Sequence, residues 1–168
     1  MDIASELIDF MLQKFRADKK WMIQTIDQIT EEDIVWQSTQ ASNSIANLLS
    51  HIRGTVRQRL ETIFYDVPDD RDRDTEFEPG LHLSKEQAYM YAQDSFDVIL
   101  DVLEKLKADP ELWLWQPYLD KPPLTFSAIN NEASMVDLMV QMVREVNTHT
   151  GQILYIAKMR KGQLQWQY

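Results

Sequence analysis

The chain contains no cysteine, which excludes disulfides, thiolate nucleophiles and cysteine-ligated metal sites together. That lack fits a reducing cytoplasm. Glycine occurs four times and proline six times in 168 residues, so few natural breaks interrupt the chain and helix is favoured over sheet. No apolar run approaches membrane-spanning length. The opening MDIASELIDFMLQKF is acidic early and lacks a basic segment followed by an apolar one, so it does not read as a signal peptide. Positive charge is scarce, with 17 Lys and Arg against 27 Asp and Glu and a formal net charge of -10. A nucleic-acid partner asks for a basic footprint and is not expected. Gly-rich phosphate loops and G-x-S-x-G elbows are absent too.

What the chain does contain is amphipathic stripes. The length suits one domain over residues 1–168, large enough to bury a core without staples. A first helix is predicted from Ile3 to Ile29, with Leu7, Phe10, Met11, Phe15, Met22 and Ile26 inward and Lys14 and Asp18 as polar interruptions. Thr30 caps a short turn, and Trp36 to Ser42 reads as a polar loop. Asn43 or Ser44 then caps a second helix, whose stripe runs from Ile45 through Leu48, Ile52, Val56 and Leu60 to Phe64. His51 sits at the edge of that stripe. Val67 to His82 is a loop long enough to suggest function, and its alternating Arg and Asp read as a solvated ion-pair network. Ser84 to Gln87 is a capping box opening a third helix, with Tyr89, Ala92, Phe96, Ile99 and Leu103 inward and a stop at Asp109-Pro110. Residues 111 to 133 form an aromatic connection with a brief extended pair near Leu124 to Ala128. The fourth helix spans Ser134 to Arg160, with Gly162 as its stop and Trp166 docking from the tail. Four such helices read as an all-α four-helix bundle.

The fourth helix poses the chemical question. Met135, Leu138, Met142, Val146, Ile153 and Ile156 make its stripe, and two polar residues fall inside it. Glu145 and His149 are four apart, so their side chains stack on one face. A carboxylate and an imidazole aimed at an apolar interior are costly unless paired. With His51 from the second helix they make two imidazoles and one carboxylate, a ligand set of catalytic zinc and non-haem iron. Such an ion would acidify a bound water towards neutrality. The bland reading stands beside it: core histidines are often satisfied by a backbone carbonyl, and Glu145 could pair with Arg53 or Arg57. Gly151, beside His149, suggests close backbone packing or ligand access. His82 reads as a loop residue.

Three stretches carry a resemblance: N43-S-I-A-N-L-L-S-H-I-R-G54, R71-D-R-D-T-E-F77 and H149-T-G-Q-I-L-Y-I-A-K158. Together they resemble the DinB/YfiT-like superfamily over nearly the whole chain. That resemblance implies an up-down-down-up bundle, usually a homodimer, holding a divalent metal on three histidines. Carried over, the ligands fall on His51, position 145 and His149, and position 145 is Glu here. Zn or Ni is then the expected metal, with Mn or Fe as alternatives, or none if the site is degenerate. The expected function is a metal-dependent enzyme acting on a small molecule, a hydrolase or a thiol S-transferase using a low-molecular-weight thiol. The rival is a dimeric, non-catalytic binding or stress-related bundle with a metal-free core.

Overall fold

The computed structural model describes residues 3–120 and 132–167, so the extended pair expected near Leu124 to Ala128 lies outside the described residues. Those residues are all-helical, with no strand among them. Helix α1 (Ile3–Gln28) is followed by the short α2 (Glu31–Val35) and by α3 (Ile45–Val56). A π-helical turn (Arg57–Glu61) carries α3 into α4 (Thr62–Phe64). A long loop with one 3₁₀ turn (Thr75–Phe77) leads to α5 (Lys85–Ala108). A second 3₁₀ turn (Pro110–Leu114), α6 (Pro117–Asp120) and α7 (Met135–Lys161) complete the chain. No helix is long and apolar enough to cross a membrane, among the described residues.

Local sequence sets each start. Thr30, Ser44, Ser84 and Ser134 each build a reciprocal capping box, with Asp33, Asn47, Gln87 and Asp137 at the third helical position. Each cap satisfies backbone donors that the first turn leaves open, worth about 1 kcal/mol. At the other end Gly162, at φ 84°, stops α7.

Packing then obeys the stripes. Helices α1 and α3 both lie along α5, and α7 rests against α1 and α3. Phe15, Met22, Ile26, Leu48, Phe96, Ile99, Met142 and Ile153 fill the space between them. Two expected core residues are instead exposed, Phe10 and Tyr89, while Leu12 and Ala88 near them in sequence are buried. The Phe10 ring lies 5.1 Å from the Lys14 ammonium, an exposed cation–π contact. Gly151 faces open space rather than a packed backbone.

The tail docks as expected. Leu164 is buried and Trp166 packs against the core. Two glutamines of α1 hold the tail backbone between them. Gln28 donates to the Gln165 carbonyl at 2.9 Å and accepts from its N–H at 2.7 Å; Gln24 does the same at Gln167, at 3.0 and 3.2 Å. A side-chain amide carries one donor group and one acceptor, so it can replace a neighbouring backbone.

Asp33 ties α2 to the end of α7. One oxygen accepts from Arg160 Nε at 2.8 Å, the other from the Thr30 backbone at 3.0 Å. Burial disfavours its charge, but the bonds from Thr30 and Arg160 outweigh burial and hold the carboxyl below its ordinary range. The folded state therefore prefers the carboxylate. Its stabilisation is present above the unfolded pKa of about 4 and is lost as pH falls through the depressed folded value. Asp33→Asn should accordingly flatten the acid limb of stability, read from urea midpoints between about pH 5 and pH 2. Identical limbs in wild type and variant would show that Asp33 does not carry this dependence.

Candidate metal centre

One face of α3, continued into the π-helical turn after it, is polar and receives the long loop. Asn47, His51, Thr55 and Gln58 recur at three- and four-residue steps, so they form one column. All four are buried. Asn47, having capped its own helix, donates to the carbonyls of Glu76 and Glu78 at 3.0 and 3.1 Å. Thr55 accepts from Arg71 Nη2 at 3.0 Å, and Gln58 accepts from Arg71 Nη1 at 2.9 Å. Arg71 in turn grips Glu76 bidentately, at 2.6 and 2.7 Å, with both side chains almost wholly buried. The loop is thus not only the solvated ion-pair network expected of it. Asp70 does pair with Arg57 near the surface, whereas Arg71 and Glu76 are interior.

Glu76 completes this arrangement at His51, with Nδ1 to Oε2 at 2.8 Å. Burial alone would raise the Glu76 pKa, but the bonds and charges of Arg71 and His51 hold it below the ordinary range. A carboxylate can only accept, so His51 Nδ1 donates to Glu76; Arg71 Nη2 stands 3.2 Å from the same nitrogen but spends its two hydrogens on Glu76 and Thr55. In the neutral ring Nε2 then keeps its lone pair. The close fit requires Gly54. A Cβ at that position would come within 2.0 Å of Glu76 Oε1.

The bare Nε2 of His51 faces α7. Glu145 Oε2 lies 3.7 Å from it and 3.4 Å from Nε2 of His149. His149 Nδ1 meets Gln152 Oε1 at 2.8 Å, so the second imidazole is turned the same way as the first. The two rings stand edge to face at 4.9 Å and 87°. Each of His51, Glu145 and His149 offers a ligand atom, all within 4.8 Å of one another. Donors bound to one zinc at ordinary lengths in a tetrahedron stand about 3.3 Å apart, so the group fits such an ion after small side-chain adjustment. Both imidazoles have the other nitrogen engaged by an oxygen, the usual outer arrangement of metal-ligating histidines.

This group is not sealed in the core. Its side chains are 10 %, 32 % and 15 % exposed for His51, Glu145 and His149. They line a half-open cavity of about 450 Å³, together with Asn43, Phe77 and Arg59. The anticipated partners of Glu145 are elsewhere: Arg53 pairs with Glu61 at 2.9 Å and Arg57 with Asp70 at 3.0 Å. His82 is exposed and lines a different hollow.

A family model described as "Protein of unknown function (DUF1572)" matches residues 2–168. The chain belongs to the DUF1572 family. A search of the curated proteins finds no match. In this DUF1572 protein the sequence pointed to all three residues of the group. It did not point to Glu76, Arg71, Gln152 or Gly54 as their supports, nor to Arg59 and Phe77 on the cavity wall. Two signals were available. The polar column Asn47-His51-Thr55-Gln58 marks a helix face that cannot meet an apolar neighbour, and Gln152 follows His149 at helical spacing. Arg59 gave none, because the π turn that places it has no sequence signature.

The two helical glycines give an internal comparison. Gly54→Ala should push Glu76 off His51, lower urea stability by about 1–3 kcal/mol and weaken divalent-metal binding more than about tenfold. Gly151→Ala meets no atom and should raise stability by up to about 1 kcal/mol through helix propensity. Similar behaviour of the two variants would contradict the role given to Gly54.

Proposed function

We propose that this protein is a metal-dependent enzyme acting on a small molecule, with a divalent ion held by His51, Glu145 and His149. The observation that carries the proposal is the convergence of two imidazole Nε2 atoms on one carboxylate oxygen, at 3.7 and 3.4 Å, beside an open cavity. Two nitrogens and one oxygen favour Zn²⁺ or Ni²⁺, with Mn²⁺ or Fe²⁺ as alternatives. Bound there, such an ion would supply Lewis acidity, making a water or a thiol nucleophilic near neutral pH.

The chain's own residues do the rest. Glu76, locked by Arg71, orients His51, and Gln152 orients His149. Glu145 brings the negative charge that offsets part of a dication. Phe77 packs beside the His51 ring at 4.8 Å and gives the cavity an apolar wall. Absence of cysteine means that a reacting thiol would be brought by a small molecule. A hydrolase and a thiol S-transferase both fit these parts.

The resemblance to DinB/YfiT-like proteins supports the same reading and extends it to an up-down-down-up four-helix bundle, a homodimer and the cytoplasm. The pairwise packing of α1, α3, α5 and α7 accords with such a bundle. A second reading has its own support. Glu145 is about a third exposed, so its charge is tolerable without an ion, and the protein could then be a metal-free binding bundle.

Divalent titration followed by melting temperature separates the two. Wild type should be stabilised by Zn²⁺ or Ni²⁺ in a saturable way. Glu145→Gln should weaken that response more than about tenfold, and Glu145→His should restore it with a preference for nitrogen-favouring ions. A wild type indifferent to every divalent ion, beside a responsive Glu145→His, would establish the metal-free reading.

A further inference from the structure

The cavity holds a second chemical feature that the metal reading leaves unused. Arg59 lines it and is only 8 % exposed, yet its Nε and Nη1 are buried with no hydrogen-bond partner among the described residues. Few side chains are less suited to such a position. A guanidinium carries five donors and a charge that does not leave it, so unanswered donors in the interior are expensive. The obvious internal acceptors are committed elsewhere. Glu76 is bonded by Arg71 and His51, and Glu61 pairs with Arg53. Asp69 is engaged by Gln58. Glu145 acts on Arg59 electrostatically but forms no ion pair with it, and its oxygen belongs to the histidine group.

The backbone is built to hold Arg59 there. It sits in the π-helical turn Arg57–Glu61, where Gln58, Arg59, Leu60 and Glu61 are buried in succession. A π turn adds a residue to the helical frame and so rotates the side chains beyond it by about 100°. Such turns recur at functional sites. The Tyr118 hydroxyl, within electrostatic reach of Arg59, is likewise buried without a partner among the described residues.

Charge points the same way. A dication on the histidine group and the guanidinium of Arg59 would together face the single negative charge of Glu145. A protein with a formal net charge of -10 thus keeps an excess of positive charge in this one hollow. We propose that Arg59 is the anchor for an oxyanion, so that the molecule acted on carries a carboxylate or phosphoryl group at one end and its reacting end at His51, Glu145 and His149. The cavity, about 450 Å³, suits a small organic acid or phosphate ester, with Phe77 against its apolar part. This substrate class rests on the metal-enzyme reading, but anion binding at Arg59 does not need the metal.

The experiment exploits that independence. Melting temperature is monitored while acetate or inorganic phosphate is titrated at constant ionic strength, in chelator-stripped and in Zn²⁺-loaded protein. Wild type should show a saturable rise with at least one anion in both forms, and the tighter of the two identifies carboxylate or phosphoryl chemistry. Arg59→Met should abolish the rise while folding normally, and Arg59→Lys should keep the charge but weaken binding at least about tenfold, for want of the planar fork. An unchanged rise in Arg59→Met, or no rise in wild type, would overturn the proposal. So would an Arg59→Met variant that melts lower without anion and recovers when Glu145→Gln is added, since Arg59 would then serve Glu145. A chain that ignores divalent ions but binds anions through Arg59 keeps this inference and loses the metal reading. The opposite pattern does the reverse.

Discussion

The buried contact of Arg71 with Glu76 is the constraint on which the site depends. Two charges removed from water are stabilising only when geometry and further hydrogen bonds offset their desolvation. Here they do. The guanidinium spends its donors on Glu76, Thr55 and Gln58, and the carboxylate spends its second oxygen on both Arg71 and His51. Gly54 leaves the room, and Asn47 fixes the loop backbone that presents Glu76. The consequence runs from sequence to chemistry. A loop residue sets the proton on His51 Nδ1, and that proton leaves Nε2 free to face Glu145 and His149.

A second consequence concerns charge. The chain is acidic, yet the walls of the cavity bring Arg59, Arg71 and Arg73 close to one carboxylate, Glu145. Arg71 is neutralised by Glu76, and Arg73 lies 4.9 Å from the Phe77 ring. Burial lowers the Arg59 pKa, and Glu145 works against that shift. In a half-open hollow with a low-dielectric floor these charges act more strongly than at the surface. The same field that suits an anionic ligand also repels a dication, so Glu145 matters to both. A neutral third ligand in its place would leave the ion without that partner.

Much of this was legible in the sequence, for physical reasons that differ by element. The caps at Thr30 and Ser84 and the 3.6-residue stripes are local signals: the caps placed the starts of α2 and α5, the stripe alone placed α7, and the start of α3 was narrowed to Asn43 or Ser44, of which the structure uses Ser44. Glu145 and His149 could be paired by spacing alone, because a helix fixes which residues share a face. His51 was named from a different helix, and the fold brings it within reach of them. The loop was harder. An Arg-Asp alternation looks solvated by composition, and only the long-range contact with α3 shows that Arg71 and Glu76 turn inward. Gly54 was hidden for a related reason: its neighbour at 2.0 Å is 22 positions along the chain. Gly151 drew the attention that Gly54 merited, since an exposed helical glycine and a packed one look alike in sequence.

The central claim is that Glu76 fixes the tautomer of His51, so that the bare Nε2 atoms of His51 and His149 face Glu145. Nitrogen NMR of the histidine rings tests it directly, because protonated and bare ring nitrogens resonate far apart, and the chain has only three histidines. In metal-stripped protein with neutral imidazole rings, His51 and His149 should both carry the proton on Nδ1. Added Zn²⁺ should move their Nε2 signals and leave exposed His82 unchanged. A His51 ring protonated on Nε2, or a Zn²⁺ response confined to His82, would contradict the account.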